Sequence, residues 1–286
     1  MPIIMRSYFA VIAIVLLSLG GTVRGQAASP AALVPEVFSS NDAAAMDNLL
    51  DAIVASEDAP PQITTSATLP LMSPEMALQT YQARAAQQAT GIASYTATSV
   101  IHAELPETKQ QGEYEVKRQF SAPKSLLFTA LHFTGDTFVK ANVITRLLQA
   151  EVEHVQKDDS STMAFTEANY KFSYKGMQGI DGRTLHVFQL KPRRRRVGLL
   201  KGNMFLDART GSRVHLEGVP SKSPSVFLSK IRVSQDFADF GPFTLPVHLH
   251  SEAKASIVGR TIVDIYQRDY QVVPGAQQTA HLGSGD

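Results

Sequence analysis

His248 and His250 stand two residues apart near the C-terminus, and their types and spacing are those of a metal site. On a β-strand positions i and i+2 share a face, so the pair would present two imidazoles side by side, with His215 or Glu252 available to join them. Neutral imidazoles plus a carboxylate suit zinc, and three such ligands leave a fourth position open for catalysis. Nothing nearby forms the His-Glu-x-x-His helix of metalloproteases. The two histidines also fall on the polar phase of their strand, so a solvated pair with no metal is expected. A metal-assisted hydrolase is the remote alternative.

Other catalytic patterns are missing. With no cysteine in 286 residues, disulfides, thiolate metal sites and cysteine nucleophiles are excluded. There is no Gly-x-Ser-x-Gly elbow and no βαβ pattern to hold one. Gly198-Leu199-Leu200-Lys201-Gly202 lacks the spacing of a phosphate loop. Asp236 and Asp239 lie in a Phe-rich stretch without an evident acid–base partner. A non-catalytic chain without a cofactor is expected. The net charge of +1 argues against nucleic acid as a partner, since nucleic-acid-binding domains are markedly basic.

The densest charge is the run Lys191-Pro192-Arg193-Arg194-Arg195-Arg196. It falls between two strand-like stretches and so reads as a hairpin tip. Such a tip either discourages edge pairing or docks on an anionic surface, a lipid headgroup layer or an acidic protein patch.

The elements that would position these residues follow from periodicity. After Gly91 the apolar pattern has period two, the signature of antiparallel strands with one wet and one apolar face. In 95–105, Tyr95, Ala97, Ser99, Ile101, Ala103 and Leu105 share a face. In 113–120, Tyr114, Val116 and Phe120 alternate with acids and Lys117, and in 170–175 Tyr170, Phe172 and Tyr174 alternate with Lys171 and Lys175. Near the end, Phe243, Leu245, Val247 and Leu249 oppose His248, His250, Glu252 and Lys254. Further strands fit at 125–133, 184–191, 198–207, 212–219, 226–237 and 261–270. Turn residues such as Asp181-Gly182, Thr210-Gly211-Ser212 and Gly241-Pro242 separate the runs, giving about ten strands in meander order.

Three amphipathic helices accompany them. Met46, Leu49, Leu50, Ile53 and Val54 recur at helical spacing within 42–55. Ser73-Pro74-Glu75 starts a second helix over 74–88, with Ser as N-cap and Pro in the first turn. The third, over 142–155, interrupts the strands and aligns Ile144, Leu147, Leu148, Val152 and Val155 on one side.

The first residues read as an address. One positive charge precedes a dozen apolar residues over 8–19, and small residues around Gly25-Gln26-Ala27-Ala28 follow, the order of a secretory signal. The run is short for a membrane span of roughly 20 residues. Loss of 1–27 removes Arg6 and Arg24 and turns the net charge of +1 into −1. No later stretch is long enough to span a membrane. The expected organisation is a signal peptide (1–27), an extension with one helix (28–72), a main domain (73–272) and a flexible tail (273–286), in an exported, periplasmic protein.

A ten-strand sheet cannot leave its apolar face in water, at about 25 cal/mol per Å². Two or three short helices must cover it. The expected fold is therefore α+β: a large curved antiparallel sheet with two or three helices over its concave face, part of that face lining a cavity.

From about 74 to 272, and most strongly after 165, the chain resembles the bacterial outer-membrane lipoprotein-sorting carriers. The resemblance is carried by Asn169-Tyr170-Lys171-Phe172, Gly179-Ile180-Asp181-Gly182-Arg183 and Leu190-Lys191-Pro192. It continues through Gly202-Asn203-Met204-Phe205-Leu206-Asp207-Ala208, Val214-His215-Leu216-Glu217-Gly218 and Lys222-Ser223-Pro224-Ser225, then Phe240-Gly241-Pro242-Phe243-Thr244-Leu245-Pro246 and a strand ending Asp269-Tyr270. It implies an unclosed half-barrel whose cavity takes acyl chains, a lipid or acylated lipoprotein as ligand, and an inner- or outer-membrane receptor.

On that basis Tyr95, Ile101, Tyr114, Val116, Phe172, Tyr174, Leu245 and Val247 are expected to line an acyl-chain site. Ile144, Leu147 and Leu148 would line its lid, and Arg193, Arg194, Arg195 and Arg196 would dock on an anionic surface. The alternative is an envelope sensor of the same fold, with helix 42–55 as its partner element.

Overall fold

In the computed structural model, residues 70–157, 163–224 and 226–275 are described. The expected signal segment, the expected helix over 42–55 and the last eleven residues, 276–286, lie outside them. Alternation of period two becomes ten strands: β1 (Ile92–Leu105), β2 (Gln110–Ser121), β3 (Ser125–Gly135), β4 (Tyr170–Ile180), β5 (Arg183–Pro192), β6 (Leu200–Asp207), β7 (Arg213–Pro220), β8 (Leu228–Phe240), β9 (Phe243–Ala255) and β10 (Gly259–Pro274). They form one antiparallel sheet in the order β3-β2-β1-β10-β9-β8-β7-β6-β5-β4, an unclosed half-barrel. Every neighbour but one is a hairpin or short-turn partner. The exception is β1 against β10, where Ile101 faces Ile265 and Ala103 faces Val263. That pairing joins the first three strands to the last seven. β10 runs through Pro274, and Gly275 then donates its N–H to Gly91 O at 2.8 Å.

Helix α1 (Pro74–Gly91) starts where Ser73 and Pro74 set it: Ser73 Oγ accepts the Met76 N–H at 3.2 Å. It continues past the expected end at Gln88 and passes directly into β1. Between the two edge strands, α2 (Thr137–Val139), a π-helical turn (Lys140–Ile144) and α3 (Thr145–Lys157) follow without a break. This helix therefore begins five residues before the expected 142. The wide turn re-phases it, so that Val139, Val143, Ile144, Leu147 and Leu148 are all buried.

Topology dictates the helix's position. β3 and β4 are the opposite edges of the sheet, so the chain joining them must cross it. It crosses the concave face. Val139, Val143, Ile144 and Leu147 share one core with Ile101, Val116, Leu190, Met204, Leu216, Leu249 and Ile265 from the sheet. A second core beside it holds Tyr95, Phe120, Leu126, Val155, Phe243 and Leu245.

Candidate functional site: the covered concave face

Of the residues expected to line an acyl site, Tyr95, Ile101, Val116, Ile144, Leu147, Leu148 and Leu245 are buried on this face. They fall into the two adjoining cores: Tyr95 and Leu245 in the second, the other five in the first. Tyr114 and Phe172 are half-buried and pack on the first core; Val247 is half-buried on β9. Tyr174 is exposed. A register shift between Tyr174 and Gly176 disturbs β4 there, and its hydroxyl lies 3.2 Å from His186 Nδ1.

The interior is not purely apolar. Arg118 on β2 and Glu151 on α3, each only 1% exposed, form an ion pair at 2.5 Å. The Arg118 Nε–H donates to the Tyr95 hydroxyl at 2.6 Å, and the guanidinium lies over the rings of Tyr95 and Phe128. Burial pushes the Tyr95 phenol upward in pKa, with Arg118 pulling the other way. This pair fastens α3 to the sheet beside the second core. Its signal in the sequence is phase: Arg118 occupies the inward position between Val116 and Phe120.

Arg213 on β7 is also 1% exposed. No carboxylate meets it among the described residues. Its guanidinium stacks on Phe237, 3.8 Å from the ring centroid, with Phe165 and Tyr81 farther off at 5.5 and 5.9 Å. Aromatic faces solvate a cation by their quadrupoles. Burial lowers its pKa, and the neighbouring Tyr81 opposes that shift. The register shift between Phe205 and Leu206, opposite His215 and Arg213, breaks the alternation of β7, which hid this residue in the sequence.

The opposite, convex face carries the histidines. His248 and His250 both contact Asp264 Oδ1 at 2.9 Å, His248 through Nε2 and His250 through Nδ1. His248 Nδ1 lies 3.3 Å from Asp236 Oδ2, and His215 Nδ1 lies 2.5 Å from Asp236 Oδ1. The expected solvated pair is thus a His-Asp-His-Asp-His chain across β7, β8, β9 and β10. The hydrogen bond from His215, then its charge, holds the Asp236 carboxyl below its ordinary pKa. Among the described residues no group of three or more such side chains is placed to hold a metal ion. No described helix is long and apolar enough to cross a membrane.

Arg193, Arg194, Arg195 and Arg196 are exposed in the β5–β6 turn. The turn is fastened to the β7–β8 turn. Ser221 Oγ donates to Arg196 O at 2.8 Å and accepts the Arg196 N–H at 3.2 Å, and the Arg195 Nε–H reaches Ser221 O at 3.4 Å.

No family model matches the chain, and no curated relative matches it. Solved structures do. An outer-membrane lipoprotein-sorting protein domain from Vibrio parahaemolyticus is 12% identical, over 72% of this chain and 96% of that one, with a TM-score of 0.37. A LolA superfamily protein from Nitrosomonas europaea is 9% identical over 72% and 96%, with a TM-score of 0.34. The MucA/MucB complex of Pseudomonas aeruginosa contains a chain 11% identical over 72% and 96%, with a TM-score of 0.25.

Proposed function

We propose that this chain is an exported, non-catalytic binding protein for the acyl chains of lipids or lipoproteins, working in the bacterial periplasm. The observation that supports the reading is the manner in which the concave face is covered. One edge-to-edge helix lies across it, meeting it through aliphatic side chains and one buried ion pair. Each methylene moved from water onto such a face gains about 0.8 kcal/mol. Ile101, Val116, Tyr95 and Leu245 form the floor of the site, and Ile144, Leu147 and Leu148 form its lid. The lid exchanges its contacts with the sheet for contacts with an acyl chain. Residues 1–27 are removed as a signal peptide.

The test is native purification from an envelope fraction, solvent extraction and mass spectrometry of the extract. Stoichiometric phospholipid or acylated peptide is expected. A clean extract, together with no uptake of a fluorescent fatty-acyl probe, overturns the reading and leaves the face as ordinary core.

The arginine turn docks the loaded protein on an anionic membrane. Changing all four arginines to Ser lowers binding to anionic vesicles at low salt by at least tenfold, since each cation near such a surface contributes about 1 kcal/mol. Unchanged sedimentation of the quadruple variant rules out this role.

A further inference from the structure

Beside the arginine turn, the structure presents three apolar side chains to solvent on two neighbouring turns. Val226 is 93% exposed, Ile257 69% and Phe227 45%. Single exposed apolar residues are ordinary, but these three are held together. The Ser256 N–H and Oγ both donate to Phe227 O, at 3.0 and 3.1 Å, clamping the β7–β8 turn to the β9–β10 turn. Just behind them Leu228, Ala255 and Val258 are buried in the main core. The result is a stiff knuckle whose apolar tips point away from the protein.

The knuckle is ringed by cations. Lys222, Lys230 and Lys254 are exposed and make no ion pair among the described residues. Arg260 is neutralised by Glu252 at 2.7 Å, and its N–H is held by Glu107. Alongside lies an open groove of about 580 Å³ lined by four cations, Lys230, Arg232, Lys254 and Arg260, against two carboxylates, Glu107 and Glu252, with Val219, Ile231 and Ala253 as its apolar lining. The arginine turn is laced to the same surface through Ser221.

We infer that this end of the half-barrel docks on an anionic phospholipid bilayer, with Val226, Phe227 and Ile257 inserting among the acyl chains and the surrounding cations meeting the phosphates. A bilayer offers both chemistries in the needed order, negative charge at the surface and hydrocarbon just beneath it. The knuckle shares the anionic surface of the proposed function but stands on its own observations, and it does not require the interior to bind a lipid.

The chain has no Trp, so Phe227→Trp introduces a single reporter at the tip. With vesicles of phosphatidylcholine and phosphatidylglycerol, its emission is expected to shift to the blue and to be quenched by brominated acyl chains, with neither effect in pure phosphatidylcholine. Substituting Ser at 226, 227 and 257 together is expected to weaken vesicle binding about tenfold or more, by loss of three inserted apolar side chains. The positions are exposed, so the circular dichroism and the solvent-extracted lipid of that variant stay as in wild type.

Sedimentation with vesicles while the reporter stays water-exposed overturns insertion and leaves the arginine turn as the sole contact. A shift caused by lipid-free envelope protein but not by vesicles overturns the bilayer in favour of a protein partner. Absence of vesicle binding overturns docking altogether, whereas failure of the acyl-binding reading shows separately, in the extract.

Discussion

Arg118 and Glu151 show how one pair of residues couples the cover to the sheet. Both charges have been taken out of water and face one another, and Arg118 also donates to the Tyr95 hydroxyl. Removing one partner strands the other, at a cost of about 3–5 kcal/mol. Glu151→Gln is therefore expected to lower unfolding free energy by that order in urea titration. Replacing both residues at once, by Met at 118 and Leu at 151, recovers most of it. Similar loss in the single and double variants would mean that the pair is not the cause. On the convex face the relevant residue is Asp236. Its carboxyl titrates below the ordinary range because of His215, so its contribution to stability is present above the unfolded carboxylate pKa of about 3.9. It disappears as pH falls through the lower folded value. Asp236→Asn is expected to flatten the acid limb of the stability–pH curve, measured by denaturation at a series of pH values. A limb of unchanged steepness would remove Asp236 from the account. None of these partnerships was visible locally. His248 and His250 were placed on the correct face by their spacing, but Asp236 and Asp264 reach them from other strands.

Among the elements, the helical stretch 137–157 is decisive. Its apolar stripe was legible from residue 142 onward, because Ile144, Leu147, Leu148 and Val155 recur with helical period. Its first turns were not, because the π turn at Lys140–Ile144 shifts the phase and puts Val139 on the same side as Ile144. Leu147 is buried where the helix crosses the sheet. Leu147→Ala is expected to cost about 2–5 kcal/mol, read by chemical denaturation. An acyl ligand that takes up the vacated volume offsets part of this, so the deficit shrinks when a fatty acid is added. A loss under 1 kcal/mol would show that the helix does not seal the core. Strand pairing at this scale also explains the two glycines of β6 and β7. Gly202 and Gly218 face one another, and a Cβ on Gly202 would sit 2.6 Å from the Gly218 Cα, too close for any other residue.

At the scale of the whole molecule, the antiparallel order sorts the turns to two ends. The turns after β5, β7 and β9 gather the arginine run, the apolar knuckle and its lysines at one end. Those after β4, β6 and β8 lie at the other. Membrane docking through the first end predicts that Arg183→Ser, an exposed cation at the opposite end, leaves vesicle binding within about twofold of wild type, an energy difference below RT. A tenfold loss would mean that charge acts without regard to orientation. Strand number, strand faces and helix positions were written in local sequence because backbone geometry alone sets the periods of two and 3.6 residues. Which strands become neighbours, that β1 closes on β10, that Arg118 and Arg213 go inside and that three separate turns form one surface depend on contacts between residues far apart in the chain. No local period encodes such contacts, since they come from burying one continuous core and satisfying the charges caught within it.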